Sequence, residues 1–267
     1  MKTPEDERRT GLHLVWQHGE MQPPRKKRAV KPAKPHPFDV QFGVETDGLI
    51  KGIDLAVGHP HDEHNTAYYG VQPSLFHEVM YRWERTPPLH PLESYTFVDF
   101  GAGKGRAMML ASEFPFREVV GVELNPRLAA IAQNNIEQWE GGGQALSPLR
   151  VVCGDAAEFE FPAGPCVAYL FNPFARPVLR RVIQKMEQSF TRRPGELDLL
   201  YVNDECESSL RLHGGFTQLW NGRIDMSVED EVAELITMNA QEDGEYASSG
   251  WERCSAYRWV GRAGEGR

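Results

Sequence analysis

The chain has 267 residues, with 38 Asp and Glu against 29 Lys and Arg and a formal net charge of -9. That balance argues against binding nucleic acid through the whole surface, while leaving room for a local basic patch. A hydrophobic content of 40% is enough for a real core, and the length fits one α/β domain with extra segments. No apolar run approaches the roughly 18 residues of a membrane span, and the amino terminus MKTPEDERRT lacks the apolar stretch of a secretory signal. Cys153, Cys166, Cys206 and Cys254 form no CxxC pair, which reads as four reduced thiols in a cytoplasmic protein.

In chain order, residues 1–37 read as a solvated tail. Pro23-Pro24-Arg25-Lys26-Lys27-Arg28 continues through Lys31, Pro32, Lys34, Pro35 and Pro37, a basic, proline-rich run that stays extended. A flexible tail is the plainer reading, a nucleic-acid arm or localisation signal the sharper one. Residues 38–93 read as a cap segment and a helix. FDVQFGVETDG and IDLAV look like short extended pieces between Gly43, Gly48 and Gly52. His59, His61 and His64 lie in GHPHDEHN, but a proline-containing loop without evident supporting partners reads as a solvated cluster, and no metal is expected. Tyr68 and Tyr69 read as loop aromatics, with pocket lining as the alternative. Ser74 is the predicted N-cap of a helix whose apolar face is Leu75, Phe76, Val79, Met80 and Trp83.

The stretch from Thr96 to Glu123 carries the strongest signal. Thr96-Phe97-Val98-Asp99-Phe100 is β-branched and aromatic and stops at a glycine, as a buried parallel strand does. Gly101, Gly103 and Gly105 alternate with Ala102 and Lys104, so the backbone can turn tightly and approach a ligand without Cβ atoms in the way. A helix then begins at Arg106 and is closed by Pro115, and Glu118-Val119-Val120-Gly121-Val122-Glu123 is a second strand ending on a carboxylate. Such a βαβ unit places a glycine loop beside an acidic side chain where open α/β sheets bind ligands. A dinucleotide loop calls for GxGxxG, whereas here the spacing is GxGxG and Arg106 takes the place of the third glycine. Asp99 adds a negative charge that would repel a pyrophosphate but suits a cationic amino group.

VDFGAGKGR followed by VVGVE resembles the class I S-adenosylmethionine-dependent methyltransferases, whose first motif is hydrophobic-Asp/Glu-x-GxGxG and whose second is an acidic residue ending the next strand. The resemblance implies a doubly wound, seven-stranded, mostly parallel Rossmann-like sheet over residues 94–262, preceded by the amino-terminal extension. It implies S-adenosylmethionine on Asp99, Gly101, Ala102, Gly103, Gly105, Glu123 and Leu124, with Asp99 toward the amino group and Glu123 on the ribose hydroxyls.

Farther along, Asn125 and Pro126 open a helix with Leu128, Ala129, Ile131, Ala132, Ile136 and Trp139 as its buried stripe, and Gly141-Gly142-Gly143 stops it. Leu149 to Cys153 reads as a third strand ending in Gly154-Asp155-Ala156. In the family that this chain resembles, an acidic residue there takes a hydrogen bond from the adenine amino group, which implicates Asp155 and Ala156. Pro165 to Phe171 is an apolar, central fourth strand running into Asn172-Pro173-Phe174. Many amino-methylating members carry (Asn/Asp)-Pro-Pro-(Tyr/Phe) here, and the form is also similar to the non-SET histone-lysine methyltransferases. The resemblance therefore implies that Asn172 and Phe174 position the methyl acceptor, Asn172 also bordering the cofactor. One proline is missing, so Phe174 is displaced by one position. A tight turn ending the strand is the structural alternative.

Val178, Leu179, Val182, Ile183, Met186 and Phe190 give the next helix its buried face, Leu197 to Val202 reads as a fifth strand, and Phe216–Ile224 with Cys254–Val260 as an antiparallel hairpin. The acidic stretch from Ser227 to Ser249 is longer than a hairpin needs and reads as an insertion or partly disordered segment. The functional expectation is methyl transfer from S-adenosylmethionine to nitrogen, the acceptor being a protein side chain, a small molecule or RNA. An NAD(P)-dependent oxidoreductase on the same βαβ unit and a non-catalytic methyltransferase-like binding module are the alternatives.

Overall fold

The computed structural model describes residues 35–241 and 244–262. Most of the basic, proline-rich run lies outside them. The molecule is organised by strands β1 (Thr96–Phe100), β2 (Glu118–Glu123), β3 (Leu149–Cys153), β4 (Cys166–Phe171), β5 (Leu197–Val202), β6 (Phe216–Asp225) and β7 (Trp251–Trp259). They form one sheet in the order β3-β2-β1-β4-β5-β7-β6. β1 to β5 pair in parallel, and β7 runs antiparallel to both β5 and β6. This is the seven-stranded, mostly parallel arrangement expected above. The order reverses between β1 and β4, which leaves a crevice at the carboxyl ends of these two strands.

Helices cover both faces because the parallel strands are apolar on both. On one face lie α2 (Pro73–Glu84), α3 (Arg106–Ala111) and α4 (Pro126–Gly141), whose Leu75, Phe76, Met108 and Trp139 share a core with Phe97 and Tyr169 of the sheet. On the other, α5 (Arg176–Phe190) packs Val178, Leu179, Val182 and Met186 against Val98, Phe100 and Leu170. Strand alternation thus sends Phe97 and Tyr169 to the α2–α3 side and their neighbours Val98 and Leu170 to the α5 side.

Three expectations are corrected. Residues Pro37–Phe42 form a helix, α1, instead of an extended piece: His36 caps it, Pro37 sits in the first turn and Gly43 closes it at φ 68°. Phe38 and Phe42, one turn apart, both pack on Trp139, a contact invisible to local pattern. Of IDLAV, residues Gly52–Leu55 make a single 3-10 turn. The cap of α2 lies two residues earlier than predicted, at Gln72, with Pro73 in the first turn. Ser74 lies inside it, and its hydroxyl accepts a hydrogen bond from the backbone N–H of Ser227 at 2.9 Å. After the short α6 (Ser208–Arg211), the acidic stretch holds α7 (Val228–Asn239). Ser227 caps it, and Glu229, Asp230 and Glu231 fall in its first turn, where acidic side chains complement the helix dipole. Ser227→Ala is expected to cost about 1 kcal/mol of stability, as cap removal does; a urea midpoint unchanged from the parent chain would show that the cap is dispensable.

Candidate functional site

A cavity of about 330 Å³ lies at the crevice where the strand order reverses. Its walls come from the loops after β1 to β5 and from the residues between α1 and α2. Asp99, Gly101, Ala102, Gly103, Glu123, Leu124, Asp155, Ala156, Asn172 and Phe174 all border it. Gly105 does not. It is the N-cap of α3, and a Cβ there would stand 3.3 Å from Ala132 of α4, so its work is to let two helices approach.

The glycine loop is tight for stated reasons. Gly101 and Gly103 have φ of 75° and 55°, a region that side chains avoid. A Cβ on Gly101 would stand 2.3 Å from Pro173, and one on Gly103 would stand 2.3 Å from the Tyr68 ring. The loop is thus closed over by the fourth-strand loop on one side and by the cap segment on the other.

Asp99 is 3% exposed and makes no hydrogen bond or ion pair among the described residues. Burial first, and the neighbouring Glu123 carboxylate second, push it up to about 8. Glu123 is also raised by burial, although two well-made backbone bonds favour its charged form. Its Oε2 accepts from the Gly103 N–H and its Oε1 from the Asn125 N–H, both at 2.8 Å. These bonds fix the carboxylate at the lip of the loop and leave each oxygen with further lone-pair capacity.

Asp155 caps a 3-10 turn through the Ala157 N–H. Its second oxygen faces two histidines, His61 Nδ1 at 3.1 Å and His59 Nε2 at 3.9 Å. Donor atoms of these three residues lie within 4.8 Å of one another, so the histidine loop folds against the site; His64 is not part of the group. His59 Nδ1 accepts a hydrogen bond from the His61 N–H, so a neutral His59 turns a protonated Nε2 toward Asp155.

Asn172 is held in the left-handed region at φ 40°, and its Oδ1 accepts from the Tyr201 hydroxyl at 3.3 Å. The Asn172 backbone carbonyl accepts from the Thr66 hydroxyl, and Asn65 bridges to Phe174, so the cap segment is tied directly to the loop after β4. Phe174 is 7% exposed, one side in the core with Val178.

The sequence reading missed several wall residues. Tyr169 pairs in register with Asp99 across β1 and β4 and reaches the cavity, as do Asn203 and Glu205 after β5 and Tyr246 after α7. The position of Asn203 and Glu205 just after a parallel strand was a usable signal. Arg106, read as a missing glycine, is 3% exposed and anchors the cap: its Nε donates to Thr46 Oγ1 at 2.6 Å, and its guanidinium lies 3.6 Å from Asp39. Among the described residues no helix is long and apolar enough to cross a membrane.

No protein-family model matches the chain, and no curated protein does. Among solved structures it is similar to a SAM-dependent methyltransferase from Geobacter sulfurreducens in complex with S-adenosyl-L-homocysteine, at 16% identity over 71% of this chain and 93% of that one, TM-score 0.45. It is similar to another from Thiobacillus denitrificans, also in complex with S-adenosyl-L-homocysteine, at 16% identity over 67% and 90%, TM-score 0.45. A third is a precorrin-6y C5,15-methyltransferase from Geobacter metallireducens, at 14% identity over 67% and 86%, TM-score 0.45. The strand order, with β7 antiparallel between β5 and β6, gives the chain a seven-stranded, mostly parallel Rossmann-like fold.

Proposed function

We propose that the protein is an S-adenosylmethionine-dependent methyltransferase acting on an amine nitrogen. The observation that carries this reading is Asp99: a buried carboxylate without a partner, bordering the cavity beside a glycine loop. Such a group calls for a cation, and the ammonium of a methionine moiety is one. A dinucleotide would bring a pyrophosphate to the same place, which offers Asp99 no cation and places further negative charge beside the Glu123 carboxylate.

The donor set fits the whole cofactor. Asp99 would hold the ammonium, Glu123 the ribose hydroxyls and Asp155 the adenine amino group, with Leu124 and Ala156 beside the base. The cofactor supplies a methyl group on a positively charged sulfur, open to in-line displacement. What this chain adds is chiefly orientation and exclusion of water. In this reading Asn172 Oδ1 would accept a hydrogen bond from the acceptor's N–H, directing the nitrogen lone pair, and Phe174 would close the wall beside it.

Glu123→Ala is expected to weaken S-adenosylhomocysteine binding by one to two orders of magnitude, about 1.4 to 3 kcal/mol for a lost charge-assisted contact. Calorimetric titration measures it, and an unchanged dissociation constant would remove Glu123 from the site.

A further inference from the structure

Beyond the cofactor residues, the cavity wall holds Tyr69, Tyr169 and Glu205, which methyl donation leaves unused, and Tyr69 connects it to Glu252, which does not itself border the cavity. Tyr69 borders the cavity with its ring edge-on to Phe171, centroids 4.9 Å apart. Its hydroxyl donates toward Glu252 Oε1 at 3.4 Å and accepts from Asn203 Nδ2 at 3.5 Å. Glu252 comes from β7, Glu234 from α7 and Glu205 from the loop after β5, and the three carboxylates act on one another or on Tyr69. Among the described residues none of them forms an ion pair with a lysine or arginine. Glu234 is 2% exposed and bonded to the Ser248 hydroxyl. Burial, then the charge of Glu234, holds Glu252 up to about 8.

Tyr169 supplies an independent observation. It is fully buried, its hydroxyl has no hydrogen-bond partner, and it borders the same cavity with Asp99, Glu252 and Tyr69 as its electrostatic neighbours. A buried hydroxyl in that state is unfavourable until a ligand group pairs with it. Aromatic faces, unpaired carboxylates and an unmet hydroxyl together match an alkylammonium group, which gains from all three. The amino group of a nucleobase is neutral and would gain little from the carboxylates.

We propose that the acceptor is an aliphatic amine that docks in its ammonium form against Tyr69 and Tyr169, and that Glu252, hydrogen-bonded to Tyr69, takes its proton through the Tyr69 hydroxyl. This rests on the methyltransferase reading for the fate of the amine. One N–H bond of the ammonium breaks as its proton passes to the Tyr69 oxygen, and the phenol O–H bond breaks as that proton passes to a Glu252 oxygen. The electron pair stays on nitrogen as the lone pair that a methyl acceptor needs, and cation and carboxylate become neutral amine and neutral carboxyl. Burial and the neighbouring carboxylates push the Tyr69 phenol well up, so it is a neutral phenol before and after. Cys254, on the same strand as Glu252, is likewise held as a neutral thiol by burial.

The test titrates the full chain, free and saturated with S-adenosylhomocysteine, with n-butylamine and with n-butanol. It is run at about pH 9, above the Glu252 value of about 8 and below the ~10.4 of an alkylammonium. The amine is expected to bind at least about tenfold more tightly than the alcohol, with no net proton released to the buffer. Glu252→Gln is expected to lower amine affinity at least about tenfold while leaving S-adenosylhomocysteine affinity within about twofold. That variant removes a like charge from beside Glu234, so it should fold at least as well as the parent, and its melting temperature checks this. Equal binding of amine and alcohol, no amine binding, or a Glu252→Gln protein that binds the amine normally would overturn the proposal. Failure to bind S-adenosylhomocysteine would fall on the methyltransferase reading instead, since the amine arm on the free protein is scored separately.

Discussion

Arg106→Ala is expected to lower the stability of the folded chain by about 3–5 kcal/mol, the usual loss when one partner of a buried ion pair is removed. The guanidinium is sealed from water, donates to Thr46 and to the carbonyls of Gly70 and Val71, and stands beside Asp39. Asp39 itself accepts from the Thr46 and Asp47 N–H groups at 2.6 and 2.7 Å, so its charge is fixed in place and needs the arginine. Urea unfolding of Arg106→Ala, Asp39→Asn and the double variant measures the coupling. A double variant less destabilised than the sum of the singles is the expected result. A loss below about 1 kcal/mol for Arg106→Ala would mean that the pair does not hold the cap. The same variant should weaken cofactor binding, because the segment that Arg106 anchors includes Tyr68, which closes over Gly103.

The second large effect is the pH dependence of cofactor affinity. Without ligand, Asp99 keeps its proton until about pH 8. An ammonium beside it favours the ionised form, so binding below that pH expels a proton. Affinity for S-adenosylhomocysteine should therefore rise with pH, by up to about tenfold per unit, and level off above about pH 8, a total gain on the order of 10- to 100-fold. Asp99→Asn should flatten the profile at the weak end. A flat profile in the parent protein would contradict the assignment of Asp99 to the ammonium. The same shift has a consequence for the ligand-free fold. Its Asp99 pKa lies above the unfolded carboxylate value, so the folded state holds a proton that the unfolded state gives up. The stability contribution is therefore lost as pH rises from about 4 toward about 8.

The parts of this molecule that were legible in the sequence are those built by neighbours in the chain. The β1–glycine loop–β2 unit announces itself through β-branched residues, three alternate glycines and two carboxylates within 28 consecutive positions, and the structure brings Asp99 and Glu123 to one cavity. The parts that were not legible depend on distant partners. α1 is helical because Phe38 and Phe42 meet Trp139, which local pattern does not reveal. Arg106 looked like a missing glycine because Asp39 and Thr46, which give it a purpose, lie more than 50 residues away. α7 had a readable cap in Ser227, but its acidic composition resembled a solvated insertion. Glu252 reaches Tyr69 only because β7 inserts antiparallel between β5 and β6, a matter of topology that no short motif encodes.

The central claim is that this cavity binds S-adenosylmethionine. Calorimetric titration of the purified protein with S-adenosylmethionine, S-adenosylhomocysteine and NAD in parallel tests it most directly. Micromolar binding of the two sulfur ligands with no heat from NAD is the predicted result. A well-folded protein that binds neither sulfur ligand, or that binds NAD in their place, would contradict the account.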